Sequence, residues 1–285
     1  MNALMGIHLA VLLFGLSGLF GKFLHYSPLF IVFGRTLFAS LALGLFAWKN
    51  DRSIRPGSFK TFLVFALVGA ILALHWVTFF HAIQISSVSV GLISFSTFPL
   101  FVTFLEPFYF NERRRLADLP MAVTITLGMV LVVPAFDLGN KITLGAFWGV
   151  ISGLTFATLS LLNRKYIRDY PATVIAFYQN GFAALTLLPF ALFSGIPALA
   201  FSSLLKVAFL GIFCTALAHT LFINGLCAIR VHTASVIAGL EPVYGILFAF
   251  FLLGEIPTPA MAAGGILIIG ATLIVSLKPV SGRKK

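Results

Sequence analysis

The stretch FKTFLVFALVGAILALHWVTFFH, residues 59–81, decides the fold, because its only formal charge is Lys60 at the start. A helix at a water interface keeps one polar face, and this stretch has none. At about 1.5 Å per residue such a helix is long enough to cross a hydrocarbon core of about 30 Å. Runs of the same kind recur at 3–21, 28–48, 86–108, 116–136, 143–163, 171–193, 203–227, 232–253 and 258–277. Between them lie Pro, Gly, Asn and charged residues, as helix ends require. In lipid only helices or a closed barrel satisfy the backbone, and these runs are too long and too continuously apolar for barrel strands. The expectation is an all-α integral membrane protein of ten transmembrane helices.

Composition agrees, since 60% of the 285 residues are hydrophobic and 9% are charged, against about 25% charged in a soluble domain. Almost no chain remains for a soluble catalytic or receptor domain. The net charge of +11 does not read as nucleic-acid binding, because the basic residues sit in the short gaps and so report topology. With the N-terminus inside, the inner gaps and tail hold Lys49, Arg52, Arg55, Lys60, Arg113, Arg114, Arg115, Arg164, Lys165, Arg168, Arg230, Lys278, Arg283, Lys284 and Lys285. The outer gaps hold only Lys22, Lys141 and Lys206, and Arg35 lies within a span. Both termini are therefore expected on the cytoplasmic side of a bacterial inner membrane. No Lys or Arg precedes the first run and no small-residue cleavage site follows it, so that run reads as a retained span and not a signal peptide. Cys214 and Cys227 fall thirteen residues apart on one predicted helix, about 20 Å, too far to bridge.

Sliding the chain on itself by 143 residues superposes its scarce punctuation: Pro28 on Pro171, Lys22 on Lys165, Pro99 on Pro242, Glu112 on Glu255 and Gly6 on Gly149. Each half then holds five spans, and an odd number forces the second half to insert upside down. The expected organisation is two inverted five-helix repeats, 1–137 and 143–278, followed by a basic cytoplasmic tail, 279–285. Inverted repeats are a recurrent plan of secondary transporters, with substrate bound near the midplane between them.

The segment Leu240-Glu241-Pro242-Val243, followed by Leu253-Gly254-Glu255, Gly264-Gly265 and Gly270, resembles the closing helices of the EamA branch of the drug/metabolite transporter superfamily. Phe98-Pro99 and Asn111-Glu112 form a weaker copy in the first half, and Arg35 and the Gln179 region are also similar to that family. Two residues depart from its pattern: Asn111 stands where the family usually has Gly, and His219 where an aromatic is common. The resemblance implies a ten-helix inverted-repeat fold with a central cavity, and export or exchange of amino acids and other small metabolites.

A polar group inside a span costs about 2.5–3.5 kcal/mol on insertion scales, so each one should face protein or a wet cavity. Arg35 offers a fork of donors that suits a substrate carboxylate, or it caps carbonyls or ties helices together near the interface, or snorkels outward. Glu241, next to Pro242, could carry a proton, or it could bond to a neighbouring helix in protonated form. Glu106, also followed by a proline, lies nearer the cytoplasmic end and reads as interfacial. His75 and His219 stand 144 residues apart, within one residue of the repeat register, and could approach the cavity from pseudo-symmetric directions. His75 and His81 are six apart and face differently on one helix, so they make a poor metal pair. Trp76, Phe79, Tyr178, Gln179, Asn224 and Tyr244 complete the candidate substrate-binding set, with Pro99 and Pro242 as candidate hinges. Gly145, Gly149 and Gly153 form a smooth stripe for close helix approach, inside the bundle or between two copies of a homodimer.

The leading expectation is a secondary transporter of a small organic solute, either monomer or homodimer, in contact with membrane lipid and open to proton coupling. No GxxxxGK[ST] signature is present, so hydrolytic pumping would need a partner, and no motif calls for a cofactor or a metal. An intramembrane lipid-modifying enzyme lacks GxSxG, HExxH or paired aspartates within a span. A non-transporting membrane scaffold is the other alternative.

Overall fold

A computed structural model gives the architecture and describes residues 3–49, 57–110, 119–132, 137, 139–195, 197, 200–229 and 231–277. Among these there is no strand. The α-helices are α1 (Ala3–Phe23), α2 (Pro28–Lys49), α3 (Phe59–Ile85), α4 (Val88–Phe95), α5 (Phe98–Phe110), α6 (Leu119–Val132), α7 (Lys141–Tyr166), α8 (Ala172–Phe193), α9 (Phe201–Gly211), α10 (Ala218–Gly225), α11 (Val231–Ala238), α12 (Glu241–Leu253) and α13 (Pro259–Leu277). A π-helical segment, Ile212–Leu217, joins α9 to α10. Among the described residues seven helical stretches are long and apolar enough to cross a membrane: α1, α2, α3, Val88–Phe110, α7, α8 and Phe201–Gly225. The regions of the other three expected spans hold shorter apolar stretches, Val123–Val132, Glu241–Leu253 and Pro259–Ala271. The protein is an integral membrane protein. Its outward face is correspondingly apolar, with Trp48, Phe59, Phe193 and Phe201 strongly exposed at helix ends, as aromatic residues are at membrane interfaces. Arg52, Arg55, Asn111, Glu112, Arg113, Arg114, Arg115, Arg230, Lys278 and the tail 279–285 lie outside the described residues.

Two expected spans are each broken into two helices, and the prolines account for it. A proline ring clashes with the carbonyl four residues earlier and supplies no N–H. Four residues before Pro99 is Phe95, the last residue of α4; four before Pro242 is Ala238, the last of α11. Each proline instead opens the next helix, where a missing donor is tolerated. At the first break two hydroxyls reinforce the end of α4, on carbonyls that also accept the backbone N–H groups of Ser96 and Thr97: Ser96 Oγ donates to Leu92 O (2.9 Å) and Thr97 Oγ1 to Ser94 O (2.8 Å). No water is available in lipid to do this.

Helix α3 packs between α7 and α8, α2 against α8 and α9, α1 against α10 and α12, and α4 against α7 and α12. Glycines permit the tightest of these crossings. A Cβ at Gly15 would stand 2.9 Å from Gly245 N, and one at Gly153 would stand 2.9 Å from Phe95 O. Gly145, Gly149 and Gly153 thus pack α7 inside the bundle, against the end of α3 and the α4–α5 break. At one end of the bundle Glu255 caps α4, accepting from Val88 N (3.1 Å), Ser89 N (2.9 Å) and Ser89 Oγ (2.9 Å). Beside it Lys22 donates to Ser86 O (3.1 Å). At the other end of the Val88–Phe110 stretch, Arg164 on α7 pairs with Glu106 on α5 and lies over the Phe110 ring at 4.3 Å.

Candidate functional site

A buried cavity lies where α1, α2, α3, α4, α7, α10 and α12 meet. Its lining brings together Arg35, His75, Trp76, Phe79, His219 and Glu241 from the expected set, with Phe14, Ser17, Leu72, Phe95 and Phe156. The two α-helix breaks and the π-helical segment explain why polar groups reach this point. Each leaves helix ends or widened turns whose backbone groups can meet side chains, and all flank the cavity.

Arg35 is 1% exposed. Its Nε donates to Thr215 Oγ1 (2.8 Å) and its Nη2 to Cys214 O (3.3 Å), both within the π-helical segment. The guanidinium lies 4.0 Å over the Trp76 ring and 5.4 Å from the Phe80 ring, a cation–π arrangement that stabilises a desolvated charge. Nη1 has no hydrogen-bond partner among the described residues.

Glu241 opens α12 directly after the break and is 4% exposed. A carboxylate suits the positive end of a helix. Helix α1 fixes its depth, because a Cβ at Gly15 would stand 3.0 Å from Glu241 O. No ion pair joins Glu241 to Arg35 among the described residues, although both line the cavity.

His75 is held by α7. Its Nδ1 is 3.0 Å from Ser152 O and 2.9 Å from Ser152 Oγ, while Ser152 Oγ donates to His75 O (3.1 Å). A carbonyl only accepts, so the bond to Ser152 O requires the proton on Nδ1 and leaves Nε2 as the acceptor. The imidazole sits among Trp76, Phe79, Phe95 and Phe156 at centroid distances of 5.2–6.3 Å. His219 meets Trp76 edge-on at 5.8 Å, and its Nδ1 has no partner among the described residues.

The cavity measures about 20 Å³ to the centre of a water-sized sphere. That is room for about one water, far below the ~300–1,000 Å³ of small-molecule sites. The conformation is closed, and an organic solute enters only if the aromatic walls or the helices behind them move.

Four expected site residues lie elsewhere. Tyr178 stacks on Phe65 (5.2 Å) and lines an outward groove with Phe33, Leu37 and Phe182. Gln179 is buried and donates to Asn163 Oδ1. Asn224 is exposed, in a pocket with Arg168, Thr173 and Thr220. Tyr244 is half-buried where α12 crosses Gly15 of α1. Pro99 and Pro242 sit in the first turns of α5 and α12. Cys214 lies in the π-helical segment and Cys227 in the turn after α10, both as free thiols. Sequence reasoning missed Ser152, Thr215 and the Cys214 carbonyl. Ser152 adjoins the glycine stripe and could have been found there; Thr215 carries no local signal. Among the described residues no three His, Cys, Asp or Glu gather as metal ligands.

Residues 1–133 and 143–277 match the family described as the EamA-like transporter family. The chain belongs to that family. A protein of Bacillus subtilis (strain 168) named as an uncharacterized transporter is 24% identical to this EamA-like chain over 282 residues, 97% of this chain and 90% of the relative. A protein of Rickettsia felis named as an S-adenosylmethionine uptake transporter is 23% identical over 260 residues, covering 89% and 85%. A crystal structure matches the fold with a TM-score of 0.72 at 20% identity over 96% of each chain. Transport is thus the function of the family, and this EamA-like chain carries a closed cavity in which Arg35, His75, His219 and Glu241 stand among aromatic walls.

Proposed function

We propose that this chain is a secondary transporter that exports or exchanges a small zwitterionic metabolite, an amino acid or a compound with an amino-acid end. One observation carries the reading: among the described residues Arg35 keeps Nη1 without a hydrogen-bond partner and makes no direct ion pair with Glu241, yet both line the same closed cavity. Unpaired buried charges are costly. A solute that brings a carboxylate to Arg35 and an ammonium to Glu241 satisfies both, and Phe14, Phe79, Phe95 and Phe156 accept its apolar remainder. S-adenosylmethionine, named for the Rickettsia relative, has such an end.

Movement proceeds by alternating access between two inverted five-helix repeats that together make ten spans. The two matched segments, 1–133 and 143–277, support this division. So do the helix breaks at 96–97 and 239–240, which are 143 residues apart. Arg35 and His75 come from the first half, and His219 and Glu241 from the second, so relative movement of the halves opens and closes the site. The bias of Lys and Arg toward alternate gaps supports cytoplasmic termini in a bacterial inner membrane, and Glu241 is the candidate proton carrier.

The test is a thermal-shift screen of the purified protein. The panel is the twenty common L-amino acids and S-adenosylmethionine, each beside its decarboxylated amine and its N-acetyl derivative. The expected result is clear stabilisation by at least one zwitterion and much weaker stabilisation by its decarboxylated amine and its N-acetyl derivative. No stabilisation by any panel member, or equal stabilisation by the amine, overturns the proposal.

A further inference from the structure

We propose that Thr215, with the π-helical turn around it, is a positioning residue that aims the free edge of Arg35 at the substrate carboxylate; this rests on the proposal that Arg35 binds that carboxylate. The proton count is decisive. A threonine hydroxyl has one proton to donate. The threonines at 36, 78 and 186 donate theirs to the carbonyl four residues earlier, at 2.8 Å each. Thr215 instead donates to Leu210 O, five residues earlier, at 2.7 Å. Its oxygen is then the acceptor for Arg35 Nε at 2.8 Å.

The same widened turn makes the Cys214 carbonyl available to Arg35 Nη2 at 3.3 Å. Two of the three guanidinium nitrogens are therefore anchored to one π-helical turn, and the guanidinium carbon lies 4.0 Å from the Trp76 ring centroid. Nη1 is the nitrogen left over, without a partner among the described residues. The close approach that makes this possible runs through Gly211, the residue before the turn, where a Cβ would stand 2.7 Å from Arg35 O. π-Helical turns inserted in α-helices concentrate at functional sites, and here the turn holds the charge in place without consuming all of its donors. Thr215 is 0% exposed and lies outside the cavity lining, so it acts through Arg35 and not on the solute.

The experiment uses the purified full chain and the panel zwitterion that stabilises it most, with the decarboxylated amine as the paired probe. Thr215→Val keeps the shape and removes both hydrogen bonds; Thr215→Ser keeps both bonds. Thr215→Ala serves as a second variant if valine prevents folding, and Arg35→Gln runs in parallel. The expected result is a loss of about tenfold in affinity for the zwitterion in Thr215→Val, with the weak affinity for the amine unchanged and Thr215→Ser close to wild type. A purely structural role would lower both affinities together, and that outcome overturns the inference. Wild-type affinity in Thr215→Val or Thr215→Ala, beside a large loss in Arg35→Gln, also overturns it while leaving the carboxylate reading of Arg35 intact. Unchanged zwitterion affinity in Arg35→Gln overturns both.

Discussion

Replacing Gly153 with valine tests a close contact behind the cavity, one made largely with backbone, without needing to know the solute. A Cβ at this position on α7 would stand 2.9 Å from Phe95 O, 3.2 Å from Thr97 Oγ1 and 3.3 Å from Phe98 N. Two of those three atoms are backbone of the α4–α5 break, so relief requires moving the break and not rotating a side chain. Phe95 lines the cavity against His75 and Phe156, and the collision is thus transmitted to the site. Gly270 on α13 supplies the control, because a Cβ there meets nothing within 4 Å. Both substitutions exchange a helical glycine for the same β-branched residue, so intrinsic helix propensity cancels between them. The remaining difference is overpacking, about 1–3 kcal/mol. At roughly 2–4 °C per kcal/mol, Gly153→Val should melt about 2–12 °C below Gly270→Val in the same detergent. Light scattering on both variants reads the oligomeric state, which should be the same. Equal melting temperatures refute the close approach of α7 to the break. A change of oligomeric state in Gly153→Val alone would move the glycine stripe to an intermolecular contact.

Two further outcomes follow from other parts of the fold. If Glu241 carries the coupling proton, transport measured in vesicles depends on pH in the wild type, and Glu241→Gln, which cannot exchange a proton, removes that dependence; a variant with the wild-type pH profile takes Glu241 out of the coupling step. Glu255→Ala strips the acceptor from Val88 N, Ser89 N and Ser89 Oγ, and loss of a helix cap costs about 0.5–2 kcal/mol, so its melting temperature should fall by a few degrees, whereas an unchanged temperature would mean that the cap contributes nothing to folding.

The membrane-embedded, all-helical character of the chain was already determined by residues such as 59–81, because hydrophobicity over a membrane's thickness is a sum over local sequence and needs no partner. The helix breaks were legible too. A proline's effect on the carbonyl four residues earlier is local geometry, and α4 and α11 end at Phe95 and Ala238 accordingly. Of the six expected residues that line one cavity, four, Arg35, His75, His219 and Glu241, carry ionisable groups, and a costly group in a span is placed where it can be met. Tertiary structure alone decided which neutral groups join them. Tyr178 and Phe79 are similar in the sequence, yet helix rotation turns one to an outward groove and the other to the cavity. Among 32 phenylalanines, nothing local marks Phe95 and Phe156. Ser152 and Thr215 serve His75 and Arg35 across 77 and 180 residues of chain, and a hydrogen bond between distant segments exists only once packing has set the distance.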